Sequence, residues 1–158
     1  MWIRDPSGAK NCMNAGKSFF DTNIFLYIYS DADPDKQQRA RELYRERALS
    51  GSILVSTQVI QEFYAAATRK LGLPRPTVRA LTEALFELPL VVVTPAHIRS
   101  AMDIELRYQL SFWDSLILAA AEAGGAEVLY TEDLNDGQQY GAVLVRNPFR
   151  SMDPGNRA

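Results

Sequence analysis

The sequence has little cysteine or histidine and no excess of positive charge, and each of these features argues against a class of protein. The single cysteine, Cys12, cannot form an intrachain disulfide, which favours a reducing, intracellular setting. The single histidine, His97, stands outside the acidic motifs at a predicted helix start, so zinc hydrolysis and histidine-dependent ribonuclease chemistry are disfavoured. The net charge of −2 argues against a protein that coats nucleic acid, which would usually be basic.

Long apolar runs are also missing. The longest ones are too short to cross a bilayer and no signal-peptide pattern opens the chain, so no membrane association is predicted. The 158 residues fit one domain, which we place at residues 18–149. Residues 1–17 lack apolar periodicity and are predicted to be a flexible arm, in which Met13 is a candidate natural start. Residues 150–158 are predicted to be a flexible tail.

Short buried strands alternate with helices along the predicted domain. The strands are predicted at residues 18–20, 53–55, 90–93, 128–130 and 143–145. The longer helices are predicted at about residues 34–49, 57–71, 77–88, 95–108 and 112–123. This alternation implies an α/β domain with a parallel sheet covered on both faces. In such sheets ligands bind beyond the carboxyl ends of the strands, where the strand order switches.

Four acidic residues stand in apolar surroundings near that edge. Asp21 directly follows the first strand and Asp133 follows the fourth. Asp114 lies in the first turn of an apolar helix, and Glu62 lies between inward-facing residues of the helix after the second strand. Mg²⁺ and Mn²⁺ prefer carboxylate and water oxygens, and two such ions can hydrolyse a phosphodiester with little other acid–base machinery.

Each acid also has an ordinary structural interpretation. Asp21 and Asp114 are good helix caps, Glu62 is able to pair with an arginine, and Asp133 suits a turn. Any one of these is plausible by itself. Convergence of all four on one edge of a sheet by chance is much less so, and the sequence therefore favours a metal site.

Two other phosphate-handling motifs are incomplete. Gly16-Lys17-Ser18 resembles the end of a phosphate-binding loop, but the earlier glycine is absent and a strand follows instead of a helix. The segment after the first strand also resembles phosphatases of the haloacid dehalogenase class. Those enzymes place their general acid two residues after the first aspartate, where this chain has Asn23.

The ordered acidic motifs resemble those of the PIN-domain family, and most closely its VapC-like toxins. The matching segments are Phe20-Asp21-Thr22-Asn23, Gln61-Glu62, Trp113-Asp114-Ser115-Leu116 and Tyr130-Thr131-Glu132-Asp133-Leu134. The resemblance covers about residues 18–149. It implies a three-layer α/β fold with a five-stranded parallel sheet flanked by helices. It also implies an endoribonuclease dependent on Mg²⁺ or Mn²⁺ and paired with a small antitoxin.

The resemblance further implies roles for single residues. The implied catalytic metal ligands are Asp21, Glu62, Asp114 and Asp133. Asp136 is a candidate for a supporting place, although Asn-Asp-Gly is also a common turn. Asn23 and Thr131 resemble the family's polar residues that orient the acids or the phosphate. The N-terminal arm departs from the family pattern, in which the chain starts almost at the first strand.

Basic and aromatic clusters leave alternatives open. The basic stretch Arg39, Arg41, Arg45 and Arg47 is either a solvated helix face or a guide for phosphates. Arg69, Lys70, Arg75 and Arg79 near the Glu62 helix are similar candidates. The aromatic run Phe25, Tyr27 and Tyr29 is either core or a surface for an antitoxin helix or a second copy of the chain.

The leading hypothesis is a cytoplasmic, homodimeric endoribonuclease toxin that cleaves RNA and is inhibited by an antitoxin. The alternatives are an RNA-binding or scaffolding PIN domain without catalysis and a phosphatase on a similar sheet. The intact acidic set favours the first hypothesis. Cleavage specificity depends on groove shape and local charge, and not on a code that is readable in the sequence.

Overall fold

The computed structural model describes residues 16–152 of the chain. The strands are β1 Ser18–Phe20, β2 Ile53–Ser56, β3 Leu90–Val91, β4 Val128–Tyr130, β5 Gln139–Tyr140 and β6 Val143–Arg146. The helices are α1 Thr22–Tyr29, α2 Pro34–Leu49, α3 Thr57–Lys70, α4 Arg75–Leu85, α5 Pro95–Tyr108 and α6 Phe112–Ala123, and a 3-10 turn follows at Arg150–Met152. Cys12, Met13 and the rest of the predicted arm up to residue 15 lie outside the described residues, as do residues 153–158 of the predicted tail.

The strands form one sheet in the order β3-β2-β1-β4-β6-β5. The pairs β3–β2, β2–β1, β1–β4 and β4–β6 are all parallel, which confirms the predicted parallel sheet. The sheet has one more strand than predicted, because β5 pairs antiparallel with β6 at the edge. A two-residue strand is too short to show the alternation by which strands are read from sequence.

The central strand β1 has β2 on one side and β4 on the other. The strands that follow β1 directly, β2 and β3, lie on one side of it, and the later strands β4, β5 and β6 lie on the other side. The carboxyl end of β1 is therefore at the switch in strand order where α/β sheets bind ligands. Every residue of β1 and β2 is buried, which shows that helices cover both faces here. Asp21 N–H donates to Tyr130 O, at 3.1 Å, and fixes the end of β1 against β4.

The helices begin and end where their capping residues stand. Asp33 caps α2, with Pro34 in its first turn, and Ser56 caps α3. His97 lies in the first turn of α5 and shares a capping box with Thr94, which agrees with a helix-start role. The alanine-rich helix α6 is buried from Ser115 to Ala121, which confirms its predicted place in the core.

The predicted boundaries of two elements, α4 and β3, are wrong. α4 begins at Arg75 and ends at Leu85, two residues earlier and three residues earlier than predicted. Pro76 lies within its first turn, where the missing N–H of proline has no cost, so the turn expected there is already helix. β3 is shorter than predicted, because only Leu90 and Val91 continue the sheet beside β2. Among residues 16–152, no helix has both the length and the apolar character needed to span a membrane.

Candidate functional site

Asp21 occupies the carboxyl end of the central strand and is buried, with 5% of its surface exposed. One carboxylate oxygen accepts the backbone N–H of Thr22, at 2.7 Å, and the other accepts the hydroxyl of Thr131, at 2.7 Å. Burial raises the pKa of Asp21 to about 7, opposed by these two hydrogen bonds and reinforced by the charges of Asp133 and Glu62. Asp21 therefore begins α1, as its capping interpretation predicts, and also faces other acids.

Glu62 approaches Asp21 from α3. The neighbouring residues Ile60 and Phe63 are buried in the core, and they fix the face of the helix that carries Glu62. One of its oxygens accepts the hydroxyl of Thr22, at 2.8 Å, and the other accepts the amide Nε2 of Gln58, at 2.8 Å. Neutral donors therefore hold Glu62, and the pairing with an arginine that the sequence left open is not what the structure has.

Asp133 lies in the loop after β4. Its Oδ2 accepts the amide Nδ2 of Asn23, at 3.0 Å, and its backbone N–H donates to the hydroxyl of Thr131, at 3.1 Å. Burial raises the pKa of Asp133, reinforced by the charges of Asp114, Glu132 and Glu62. The hydroxyl of Thr131 thus contacts both Asp21 and the Asp133 backbone, which joins two acids through one side chain.

Asp114 lies in the first turn of α6, where Ser111 is the cap. The hydroxyl of Ser111 accepts the backbone N–H of Asp114, at 3.1 Å, and donates to its Oδ2, at 2.9 Å. The interpretation of Asp114 as the helix cap is therefore wrong, since Ser111 has that role. Asp114 lies near enough to Asp133 for its charge to raise the pKa of that residue.

Three of the acids open into one cleft of about 270 Å³. Its polar lining comprises Asp21, Thr22, Asn23, Glu62, Asp133, Arg69 and Lys70. Carboxylates from three different elements therefore face a common space, and two cations at the end of α3 border it. The structure brings Asp21, Glu62 and Asp133 together with Asn23, and it places Asp114 beside Asp133.

Comparison with known families identifies the domain. A model of the PIN domain matches residues 18–136. The chain belongs to the PIN domain family. No curated protein sequence matches the chain.

Solved structures share the fold of this PIN domain. A Mycobacterium tuberculosis toxin, VapC20, described as cleaving the sarcin-ricin loop, aligns with a TM-score of 0.61 and 18% identity over 72% of this chain and 87% of its own. A toxin–antitoxin complex from Klebsiella pneumoniae aligns with a TM-score of 0.64 and 19% identity, over 84% and 98% of the two chains. DNA-bound VapBC from Salmonella typhimurium aligns with a TM-score of 0.62 and 14% identity, over 85% and 99%.

Asp136 lies apart from the acids of the PIN domain cleft. Its two oxygens accept the backbone N–H of Asn147, at 2.9 Å, and the guanidinium of Arg150, also at 2.9 Å. The hydrogen bond from Asn147 and that from Arg150 lower the pKa of Asp136. The structure therefore gives Asp136 a place that ties the turn before β5 to the segment after β6, and does not bring it to the metal-site candidates.

The donor set suits a hard divalent cation, since Asp21, Glu62, Asp114 and Asp133 offer only carboxylate oxygens. Within residues 16–152, however, no group of three or more Asp, Glu, His or Cys is close enough as it stands to hold a metal ion. Each of these carboxylates accepts a hydrogen bond from a donor of its own. A cation that keeps part of its water shell, as Mg²⁺ usually does, needs fewer direct protein ligands.

Four of the eight basic residues singled out in the sequence, Arg39, Arg41, Arg47 and Arg79, have structural partners instead of facing the cleft. Arg47 donates to the hydroxyl of Tyr130, at 2.7 Å, and Arg41 donates to Ile28 O, at 3.0 Å. Arg39 lies near Glu42 and Glu46. The two cations that border the cleft are Arg69 and Lys70.

The aromatic run in α1 divides between core and surface. Phe25 is fully buried. Tyr27 packs edge-on against Phe149, with ring centres 4.9 Å apart. Tyr29 is 37% exposed and lies beside Phe63. The run is therefore mainly core, and Tyr29 alone contributes notable surface.

Sequence reasoning missed several residues that hold the acids in place. Gln58 stands four residues before Glu62 and Ser111 three residues before Asp114, and both spacings bring side chains together on a helix. Lys36 is different, because it contacts Glu132, at 2.9 Å, from 96 residues away. No local pattern could have found that pair.

Proposed function

We propose that this PIN domain is an endoribonuclease that hydrolyses RNA phosphodiester bonds with Mg²⁺ or Mn²⁺ as its cofactor. The proposal rests on the cleft at the carboxyl edge of the sheet, where Asp21, Glu62 and Asp133 face one space. An unpaired carboxylate is costly in apolar surroundings. The raised pKa of Asp21 and that of Asp133 show that this cost is present in the cleft, and a bound cation would remove it.

The residues that would hold the cation are Asp21, Glu62, Asp114 and Asp133. A divalent ion among them would supply a water activated for attack and a counter-charge for the leaving oxygen. Asn23 and Thr131 keep the carboxylates of Asp133 and Asp21 oriented by direct hydrogen bonds.

Substrate phosphates approaching an acidic cleft need positive charge at its border. Arg69 and Lys70 supply it at the end of α3, where they line the same space as the acids. Both residues also lie in the last turn of the helix, where cations are favoured by the helix dipole. We therefore assign them to the RNA backbone.

We further propose that the enzyme is the toxin of a toxin–antitoxin pair, acting in the cytoplasm where its RNA substrate lies. The structures with the same fold are described as toxins or toxin–antitoxin complexes, which supports an antitoxin partner. The four carboxylates would accept an arginine of that partner, since a guanidinium is a natural partner for clustered carboxylates.

A homodimer is part of the same proposal, although the aromatic run around Phe25 and Tyr29, which was expected to form the surface, is mainly core. The support now comes from α5, where Ile98, Met102 and Leu106 recur every four residues and are all exposed. Such a stripe lies on one helix face. A second copy of the chain would cover it.

The decisive experiment incubates the purified chain with a labelled RNA pool and Mn²⁺, with and without EDTA. We expect cleavage with Mn²⁺ and none after chelation. Asp21→Asn and Asp114→Asn should each abolish cleavage while circular dichroism shows a native fold, and Asp103→Asn, an exposed acid on α5, should cleave like the native chain. Cleavage that survives exhaustive chelation would contradict the proposal.

One observation favours a second candidate, an RNA-binding PIN domain without catalysis. The acids in the described part of the chain are not grouped closely enough to hold a metal as they stand. A chain that binds the RNA pool but leaves it intact with Mn²⁺ or Mg²⁺ would establish that alternative.

A further inference from the structure

Trp113 is exposed beside the acidic cleft. It is the second residue of α6 and is 63% exposed, although the same helix is buried from Ser115 to Ala121. The ring of Phe112 packs against it edge-on, with ring centres 5.3 Å apart and planes at 71°. The indole is therefore supported from one side and offers a broad apolar surface to solvent, which is an uncommon place for so large a side chain.

The indole borders an open hollow of about 370 Å³, within the range of roughly 300–1,000 Å³ that small-ligand pockets occupy. The other lining residues are Gln58, Gln61, Glu62 and Ala65. These positions follow helical spacing and share one face of α3. Glu62 and Ala65 also line the acidic cleft, so the hollow and the cleft are neighbours.

Gln58 joins the two helices that border this hollow. Its side chain is only 4% exposed, and its Nε2 donates to Glu62 Oε1, at 2.8 Å, and to Trp113 O, at 3.2 Å. These two hydrogen bonds tie α3 to the first turn of α6, so the backbone that carries the indole is fixed next to an acid of the cleft.

We propose that the hollow beside Trp113 binds one nucleobase of single-stranded RNA. The base stacks on the indole. This inference rests on the proposed function and extends it, since the cleft lies next to the hollow and the bound base would belong to a nucleotide near the phosphate that is cut. Exposed aromatic rings are the usual platforms for unpaired bases.

A nucleobase suits the hollow better than an apolar side chain of a protein partner. Either would cover the indole. A strand whose phosphate lies at the carboxylates carries a base within reach of the indole, because the hollow shares Glu62 and Ala65 with the cleft. Every natural base has a flat face, which stacks on an exposed aromatic ring.

The test uses Trp113 as its own reporter. The chain has two tryptophans, so Trp2→Phe leaves Trp113 as the only one, and an unchanged RNA affinity validates that background. The probe is a 12-nucleotide 2′-O-methyl RNA of mixed sequence, titrated in EDTA to prevent cleavage. Stacking should quench the Trp113 fluorescence, and a series of probes with one abasic position each should include one that fails to quench.

Affinity is measured by fluorescence anisotropy of the same labelled probe. Trp113→Leu should raise the dissociation constant roughly 5- to 100-fold, the range expected for one stacked base. Trp113→Phe should recover part of the loss, because it keeps a ring. Phe86→Leu, which removes an exposed aromatic at the end of α4, should bind like the native chain.

The outcomes separate this inference from the proposed function. Native protein that binds and cuts RNA, with Trp113→Leu doing both equally well and no quenching, would overturn the base site alone. Quenching of Trp113 by an antitoxin peptide but not by RNA would also overturn it. Native protein that neither binds nor cuts RNA would overturn the proposed function as well.

Discussion

Replacing Asp21 by asparagine should stabilise the metal-free protein at neutral pH while destroying activity. The pKa of Asp21 is about 7 in the folded chain, against an ordinary value of 3.8 for an aspartate. Keeping this buried group ionised at pH 7 therefore costs up to about 4 kcal/mol, at about 1.4 kcal/mol per pKa unit. Asparagine removes the charge, and its oxygen can still accept the N–H of Thr22 while its NH₂ faces the hydroxyl of Thr131.

The direction of the Asp21 pKa shift determines how the stability advantage of Asp21→Asn changes with pH. Between pH 3.8 and about 7 the folded chain binds more protons at Asp21 than the unfolded chain does. The stability of the native protein therefore falls as pH rises through this window. The advantage of Asp21→Asn should be small at pH 4.5 and should reach its maximum near pH 7.5, where it corresponds to roughly 5–15 °C at about 2–4 °C per kcal/mol.

Differential scanning fluorimetry in EDTA at a series of pH values measures this difference. Asp103→Asn serves as the matched control and should follow the native curve at every pH. Mn²⁺ at about 100 times its dissociation constant should add about 2.7 kcal/mol to the native protein and less to Asp21→Asn. If Asp21→Asn melts below the native chain in EDTA at pH 7.5, or if manganese shifts both proteins equally, Asp21 does not belong to a shared cation site.

Three further predictions concern residues around the cleft. Lys36→Met should slow cleavage while the melting temperature changes little, because Lys36 binds Glu132, at 2.9 Å, in the loop that carries Asp133. A cleavage rate equal to that of the native chain would contradict this role. Asp136→Asn removes the negative charge from the ion pair with Arg150 and should lower the melting temperature by a few degrees at most, with cleavage intact. Loss of cleavage in a folded Asp136→Asn protein would mean that Asp136 belongs to the catalytic site. Leu106→Glu should give monomers by light scattering at tens of micromolar, and an unchanged mass would remove α5 as the dimer surface.

The sequence predicts most of the fold because the informative signals are local. The start of α2 follows from Asp33 and Pro34, and the end of α6 follows from the glycine pair at Gly124. Strand β5 escapes such reasoning, since its two residues exist as a strand only through pairing with β6. Asp136 was assigned a supporting place by its neighbours in sequence, whereas its partners stand 11 and 14 residues further along the chain.

The way the acids are held bears on what the cleft can bind. The ion pairs among residues 16–152 use Glu132, Glu42, Glu46, Glu83 and Asp136. The acids of the site are held by the neutral donors Thr22, Thr131, Asn23, Gln58 and Ser111. Hydroxyl and amide donors fix the direction of a carboxylate without cancelling its charge. The fold thus orients the carboxylates and leaves their negative charge available, so a divalent ion and an arginine of an inhibitor would compete for the same oxygens.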